Sequence, residues 1–256
     1  MNTKILFVVA HPDDESLWAG GTLAGLSKFE NIETYVMCIT GRDDEFRCDE
    51  FMKAMEIAKP TAHAIMGHDL PKKGGIALED IPVFFDLGLQ EMNLKLDEVD
   101  LVVSHPHYGD EHTHMNHMQL FYGMREITAK HNIPFACFSF MPIPYVKLCP
   151  ILPDARRDKG LHLISIAKCE LESHKLTERL SATPPRFFVQ LKVDEKTKKE
   201  MLNCYQSINI EQHQKGYSAW DSYIENFYIF DEKGLKPFIN IYNSMNRPYA
   251  NGACIF

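Results

Sequence analysis

Short apolar runs alternate with longer stretches of mixed polarity through the first half of the chain. Residues 4–10 form a nearly unbroken apolar run rich in β-branched side chains, typical of a strand buried on both faces of a parallel sheet. The same pattern predicts further strands at 32–39, 62–66, 99–104 and 135–140, and helices at 16–29, 47–58, 79–96 and 114–131. Strands that alternate with helices indicate βαβ units, so we expect an α/β fold with a Rossmann-like, mostly parallel sheet flanked by helices.

The second half of the chain has a weaker pattern. Several prolines between residues 141 and 160 predict an irregular segment. A strand at 187–193, a helix at 195–207 and a last strand at 223–230 follow, and the tail from residue 240 has no clear signal. Because no linker of biased composition and no internal repeat divides the chain, we expect residues 1–256 to form a single domain.

Composition and charge restrict the partners of this chain. Its 256 residues are 45% hydrophobic and 24% charged, which is ordinary for a globular protein. The formal net charge of −8 argues against nonspecific binding of nucleic acid, which requires a basic surface. No apolar run is long enough to predict a membrane span. Seven cysteines without a paired CxxC spacing, and first residues without a signal-peptide pattern, favour reduced thiols and a cytoplasmic location.

Acidic residues and a histidine crowd the end of the first predicted strand, in the order His11-Pro12-Asp13-Asp14-Glu15. Carboxylates placed together there repel one another and lose solvation, and a bound cation would offset both costs. Histidine and aspartate are good zinc ligands. Neighbouring residues of an extended backbone point in different directions, so Asp13 and Asp14 can have different functions, one on the metal and one free for proton transfer. Glu15 is expected either to complement the dipole of the following helix or to fix the loop.

Histidines crowd the end of the strand predicted at 99–104, with five of them between residues 105 and 117. His114 and His117 are three residues apart and share one face if a helix begins near residue 114. The carboxyl ends of parallel strands carry the binding loops of open sheets, so one or two of these histidines can complete a site with His11 and Asp14. His105 and His107 carry no assignment from the sequence, and the same holds for the histidines outside the two loops.

The number of ligands predicts the kind of metal site. Two ligands from the first loop and one histidine from the second make three, and three protein ligands with an open position are typical of catalytic zinc. Zinc has no redox chemistry, so hydrolysis is the natural reaction.

Five short motifs resemble one family in their order and spacing. They are AHPDDE at residues 10–15, GGTL at 20–23, TG at 40–41, RCDE at 47–50 and HMNH at 114–117. The set resembles the LmbE-like family, also called the PIG-L family of N-acetylglucosaminyl deacetylases. The resemblance covers about residues 4–120 and implies a Rossmann-like single-domain fold, one zinc ion per chain and deacylation of N-acyl sugars or related amines.

The resemblance also implies roles for individual residues. The metal ligands would be His11, Asp14 and His117, and the general base would be Asp13. His114 would act as an acid or as an electrostatic partner of the oxyanion, and Arg47 would contact the substrate. Either Asp13 or His114 then protonates the leaving amine. The expected partner is a small N-acyl amine such as an amino sugar, and a homo-oligomer remains open.

Two positions depart from the family pattern. Many members have aspartate where this chain has Asn116, so we expect weaker support of His114. The family's late element of the form His-x-Ser-Gln is only loosely resembled by Tyr205-Gln206-Ser207.

Three other functions fit parts of the pattern. A metal-dependent phosphoesterase uses similar ligands, but no second metal cluster is evident. A dinucleotide-binding oxidoreductase needs a Gly-rich turn where this chain has an acidic loop. A non-catalytic metal-binding protein of the same fold is disfavoured by the complete residue set.

Overall fold

The computed structural model describes residues 2–68, 76–107, 109, 114–139, 187–207 and 224–244. The strands within these ranges are β1 Thr3–Val9, β2 Ile32–Thr40, β3 Ala62–His68, β4 Leu101–Ser104, β5 Phe135–Ser139, β6 Phe187–Lys192 and β7 Ile224–Ile229. The helices are α1 Asp14–Leu26, α2 Glu45–Ala58, α3 Ile81–Glu91, α4 Met115–His131, α5 Glu195–Leu202 and α6 Glu232–Ser244. None of these helices combines the length and the apolar composition needed to cross a lipid bilayer.

The strands form a seven-stranded sheet in the order β3-β2-β1-β4-β5-β7-β6. Strands β1 to β5 pair in parallel, whereas β7 pairs antiparallel with both β5 and β6. The mostly parallel α/β sheet predicted from the sequence is therefore confirmed. The chain adds strands outward from β1 to β3 and then returns to the other side of β1 with β4, so the crevice at the carboxyl ends of β1 and β4 is a topological switch point.

The first strand is buried on both faces, as its unbroken apolar run predicts. Ile5, Phe7 and Val9 belong to one hydrophobic cluster. Leu6 and Val8 belong to the cluster on the opposite face of the sheet. Since side chains alternate along a strand, this division requires helices on both faces, and β1 lies at the centre of the protein.

Some boundaries predicted from the sequence are wrong. The helix predicted at 79–96 is only Ile81–Glu91, because Asn93 adopts a left-handed φ of 50° and ends it. The helix predicted at 195–207 ends at Leu202. Helix α6 was not predicted, since it contains Gly234 and Pro237, which are unfavourable inside helices. The irregular segment predicted at 141–160 lies outside the described residues.

The second half of the chain packs closely against α1. A Cβ atom at Gly21 would lie 2.4 Å from Cβ of Val193, so only glycine permits this contact. Beside it, the carboxylate of Glu225 accepts hydrogen bonds from the backbone nitrogens of Gly21 at 2.9 Å and Thr22 at 2.8 Å. Nζ of Lys198 lies 3.2 Å from the same carboxylate, and both side chains are buried. An ion pair thus joins α1, α5 and β7 inside the protein.

Replacing Lys198 with alanine is expected to lower the free energy of unfolding by about 3 kcal/mol, because it leaves the Glu225 carboxylate buried without its cation. Lys199→Ala is the matched control. The neighbouring lysine pairs with Glu195 at 2.6 Å on the exposed face of the same helix, and loss of such a pair costs at most about 0.5 kcal/mol. Urea denaturation of both variants measures the difference, and equal stabilities would show that the buried pair contributes nothing.

Candidate metal centre

The loop that follows β1 is held by contacts from β2 and the turn after it. The Thr40 hydroxyl donates a hydrogen bond of 2.7 Å to the Ala10 carbonyl oxygen. Gly41 has a φ of +105°, and a Cβ atom there would lie 2.5 Å from Cγ of Pro12. The Thr-Gly pair therefore shapes the loop, because the threonine hydroxyl fixes the start of the loop and the glycine leaves room for the proline ring.

Three donor atoms from the two loops form a nearly equilateral triangle. Oδ2 of Asp14 lies 3.3 Å from Nδ1 of His11 and 3.2 Å from Nε2 of His117. The two histidine nitrogens are 3.1 Å apart. In tetrahedral zinc sites, metal–ligand distances of about 2.0–2.1 Å separate neighbouring ligand atoms by about 3.3 Å. One carboxylate oxygen and two imidazole nitrogens at these separations fit a zinc ion.

His105, which the sequence left unassigned, lies in the same cluster. Its Nε2 is 3.3 Å from Oδ2 of Asp14 and accepts a hydrogen bond of 3.1 Å from the Ala10 backbone nitrogen. Its ring stacks on that of His117 at a centroid distance of 3.9 Å. Burial, together with the nearby His117, lowers the pKa of His105 to about 4. Asp14, His105 and His117 thus form a second group of three possible ligands.

His114 lies on the exposed side of the cluster. It precedes the first residue of α4, and its side chain is exposed, whereas His117 is buried one turn further on. The His114 ring centroid lies 4.7 Å from that of His11 and 4.7 Å from that of His117. With these two residues it forms another group of three possible ligands. His114 is therefore the histidine of the cluster that faces the solvent.

The two aspartates of the loop have opposite electrostatic environments. Burial raises the pKa of Asp13 well above its usual value, and the adjacent carboxylate of Asp14 adds to this shift. Burial also opposes ionisation of Asp14, but His117 and His105 outweigh it and hold the pKa of Asp14 well below its usual value. Asp14 is thus an anion within a histidine cluster, whereas the raised pKa makes Asp13 the stronger base of the two.

Helix α2 supports the loop through the residues of the Arg-x-x-Glu motif. Nη2 of Arg47 donates a hydrogen bond of 2.6 Å to the Pro12 carbonyl oxygen and lies 3.5 Å from Oδ2 of Asp13. Oε1 of Glu50 accepts hydrogen bonds from the backbone nitrogens of Gln206 at 2.5 Å and Ser207 at 2.8 Å. One turn of helix therefore braces both the acidic loop and the segment after α5.

Asn116 contacts a different histidine from the one expected. Its Oδ1 accepts a hydrogen bond of 3.0 Å from the Ile76 backbone nitrogen, and its Nδ2 lies 2.9 Å from Nε2 of His11. The support that the sequence assigned to His114 is therefore given to His11, because the first turn of α4 directs position 116 towards the acidic loop.

Two of the remaining histidines pack against aromatic side chains. His107 lies near Phe121 at a centroid distance of 5.7 Å, and His63 lies near Phe51 at 6.0 Å. These contacts agree with structural roles for both. His112, His162, His174 and His213 lie outside the described residues.

Known proteins resemble this chain in structure and not in overall sequence. No family model and no curated protein sequence matches the chain. The zinc-inhibited form of the teicoplanin deacetylase Orf2 has a TM-score of 0.50 and 13% identity, over 89% of this chain and 97% of that protein. A deacetylase of the teicoplanin biosynthesis pathway has a TM-score of 0.51 and 14% identity, again over 89% and 97%.

A third similar structure is the N,N'-diacetylchitobiose deacetylase from Pyrococcus horikoshii, with a TM-score of 0.46 and 14% identity over 97% of this chain and 88% of that protein. The two teicoplanin structures span nearly the whole of both chains, so their likeness concerns the complete fold. The chain therefore has the fold of these two deacetylases, and the resemblance that its motifs indicate is confirmed at the level of the fold.

Proposed function

We propose that this protein is a zinc-dependent hydrolase that removes an N-acyl group, typically N-acetyl, from an amino sugar or a related small molecule. The observation that carries the proposal is the triangle of donor atoms from His11, Asp14 and His117, with edges of 3.1–3.3 Å. The deacetylase fold and the five motifs support the same reaction.

We assign one zinc ion per chain to these three ligands. Three protein ligands leave a fourth position open, as catalytic zinc sites require. When bound, zinc supplies a water that ionises near neutral pH and a Lewis acid for the amide carbonyl. His105 stacks on His117, so it orients the ring of this ligand.

Two residues beside the ligands provide proton transfer and charge stabilisation. Asp13 accepts the proton that the attacking water loses, since it is adjacent to the ligand Asp14 in the sequence and is not part of the triangle. His114 is the exposed histidine of the cluster and donates a hydrogen bond to the oxyanion. Asp13 or His114 then protonates the leaving amine. Arg47 contacts the substrate from the rim of the loop that it braces.

The alternatives differ in the number of metals and in turnover. A two-metal phosphoesterase needs a second group of ligands about 4 Å from the first. Within the described ranges, all three groups of possible ligands include His117, so they describe one centre. A non-catalytic protein would bind zinc without turning over any acylated amine.

We place the activity in the cytoplasm, where the described cysteines Cys38, Cys48, Cys137 and Cys204 would remain free thiols.

The test is hydrolysis of a panel of N-acetyl amino sugars by zinc-loaded protein, measured as released acetate and free amine. We expect about one zinc per chain, loss of turnover with a chelator and recovery when zinc is added. Phosphodiesters serve as control substrates. Full activity of metal-free protein would contradict the proposal, as would phosphodiester cleavage without amide hydrolysis.

Asn116→Asp is expected to strengthen zinc binding by about tenfold, the scale of changes around metal ligands. When zinc binds Nδ1 of His11, the imidazole ring carries its proton on Nε2. The Asn116 side chain presents its amide nitrogen, which is also a donor, to this Nε2. A carboxylate accepts hydrogen bonds both from this Nε2 and from the Ile76 nitrogen. Competition with a chromophoric chelator measures the affinity, with Asn31→Asp at an exposed position as control. Unchanged or weaker binding would refute this role of the side chain.

The segment at 141–160 remains a prediction. It contains Tyr145, Lys147, Arg156 and Arg157, and we expect it to border the substrate entrance because it follows β5 at the carboxyl edge of the sheet. Replacing both arginines with alanine should raise KM or alter substrate preference while zinc is retained.

A further inference from the structure

Asp13 has a backbone conformation that is rare for a residue with a side chain. Its φ is 120° and its ψ is −31°, whereas residues other than glycine strongly prefer negative φ. Its carbonyl oxygen accepts hydrogen bonds from the nitrogens of Ser16 at 3.0 Å and Leu17 at 2.9 Å, which begin α1. Such conformations persist only where neighbouring groups hold them. A neighbouring group must therefore hold the amide side of Asp13.

Glu15 holds that side. Its Oε2 accepts a hydrogen bond of 3.1 Å from the Asp13 backbone nitrogen. Its other oxygen, Oε1, accepts one of 2.6 Å from the Ser16 hydroxyl. The side chain is completely buried, so the position of this carboxylate depends on its protein partners. Because both oxygens belong to one rigid carboxylate, a group that fixes Oε1 also fixes Oε2, which accepts the hydrogen bond from Asp13.

Tyr205 is the distant partner that fixes Oε1. Its hydroxyl donates a hydrogen bond of 2.5 Å to Oε1 of Glu15 across 190 residues of sequence, and its side chain is fully buried. The two residues after it are anchored by Glu50, which accepts hydrogen bonds from their backbone nitrogens and from the Ser207 hydroxyl. The tyrosine is therefore held by α2 on one side while it contacts α1 on the other. A short hydrogen bond to a carboxylate in such a setting is strong and directional.

We propose that Tyr205 is a positioning residue for the reaction: through Glu15 it holds the backbone of Asp13 in the positive-φ conformation that presents the Asp13 carboxylate to the metal centre. The inference rests on the proposed function, in which Asp13 is the general base. It assigns the segment after α5 to the active site, although Tyr205 touches neither metal ligands nor substrate in this scheme. Displacement of a reacting group by about 1 Å costs up to roughly 10²-fold in rate.

Tyr205→Phe tests the proposal because it removes only the hydroxyl. We expect kcat to fall by about tenfold to a hundredfold, while KM and zinc content stay unchanged. Tyr35→Phe is the matched control. Tyr35 is also buried, and its hydroxyl donates a hydrogen bond of 2.8 Å to the carboxylate of Glu33. It lies in the amino-terminal half of β2, whereas the metal loops follow the carboxyl ends of the strands. If Tyr205 only stabilises the fold, both variants melt earlier but keep the wild-type kcat, and the proposal is overturned.

A crystal structure of the Tyr205→Phe variant gives a readout that does not depend on turnover. We expect Asp13 to relax to a negative φ or to lose its hydrogen bond to Glu15. An unchanged Asp13 conformation would overturn the inference even if kcat falls. If the wild-type protein hydrolyses no N-acyl amine, the proposed function fails, and the conformation of Asp13 in the variant still decides whether Tyr205 holds it.

Discussion

Asp14→Ala is expected to abolish zinc binding and activity together. Oδ2 of Asp14 lies within 3.3 Å of the nitrogens of His11 and His117, so its removal deletes one corner of the donor triangle and its only charge. The variant should retain no zinc after dialysis, measured by elemental analysis, and show no turnover above background. His117→Ala removes another corner and should behave in the same way.

His114→Ala is the control for this loss of metal. The His114 ring belongs to the same cluster, but it is exposed and precedes α4. We expect this variant to keep about one zinc per chain and to lose turnover, because it removes a partner of the oxyanion and no ligand. Loss of zinc in His114→Ala with retention in His117→Ala would reverse the roles of the two histidines.

Asp13→Asn is expected to lower kcat by about 10²-fold or more while zinc remains bound, since an amide cannot accept the proton of the attacking water. The substitution preserves size and adds no charge, and the hydrogen bonds to the Asp13 backbone remain available. Zinc content and kcat are measured on the same preparation.

Asp43→Asn is the control, because it makes the same chemical change at an exposed position of the turn after β2. It should leave kcat and zinc content at the wild-type values. If Asp13→Asn loses zinc as completely as Asp14→Ala, Asp13 is a ligand and the assignment of the two aspartates is wrong.

The central sheet and the place of the site follow from local sequence patterns. An unbroken apolar run at residues 4–10 requires burial on both faces, and its polar continuation from His11 has to lie at the carboxyl edge. The same reasoning applies to Ser104 and the histidines after it. Because β1 and β4 are adjacent and parallel, the two loops meet. Period and polarity therefore placed both loops at one edge of the sheet, and the adjacency of β1 and β4 brings them together.

Tertiary packing decided the contacts that position individual side chains within the site. His105 stacks on His117, Asn116 contacts His11, and Tyr205 reaches Glu15 from the far end of the chain. None of these contacts has a periodic signature, because each depends on how a loop or a short helix packs against an element distant in sequence.

The sequence by itself thus determined the parallel sheet, its doubly buried first strand and the acidic and histidine-rich loops of the candidate site. Only the tertiary structure decided how these loops are held. A pattern along the chain reports which residues avoid water, whereas the alignment of a hydroxyl, a carboxylate and a strained backbone such as that of Asp13 depends on ångström-scale distances between segments. Those distances are set by the close packing of α1, α2 and α5.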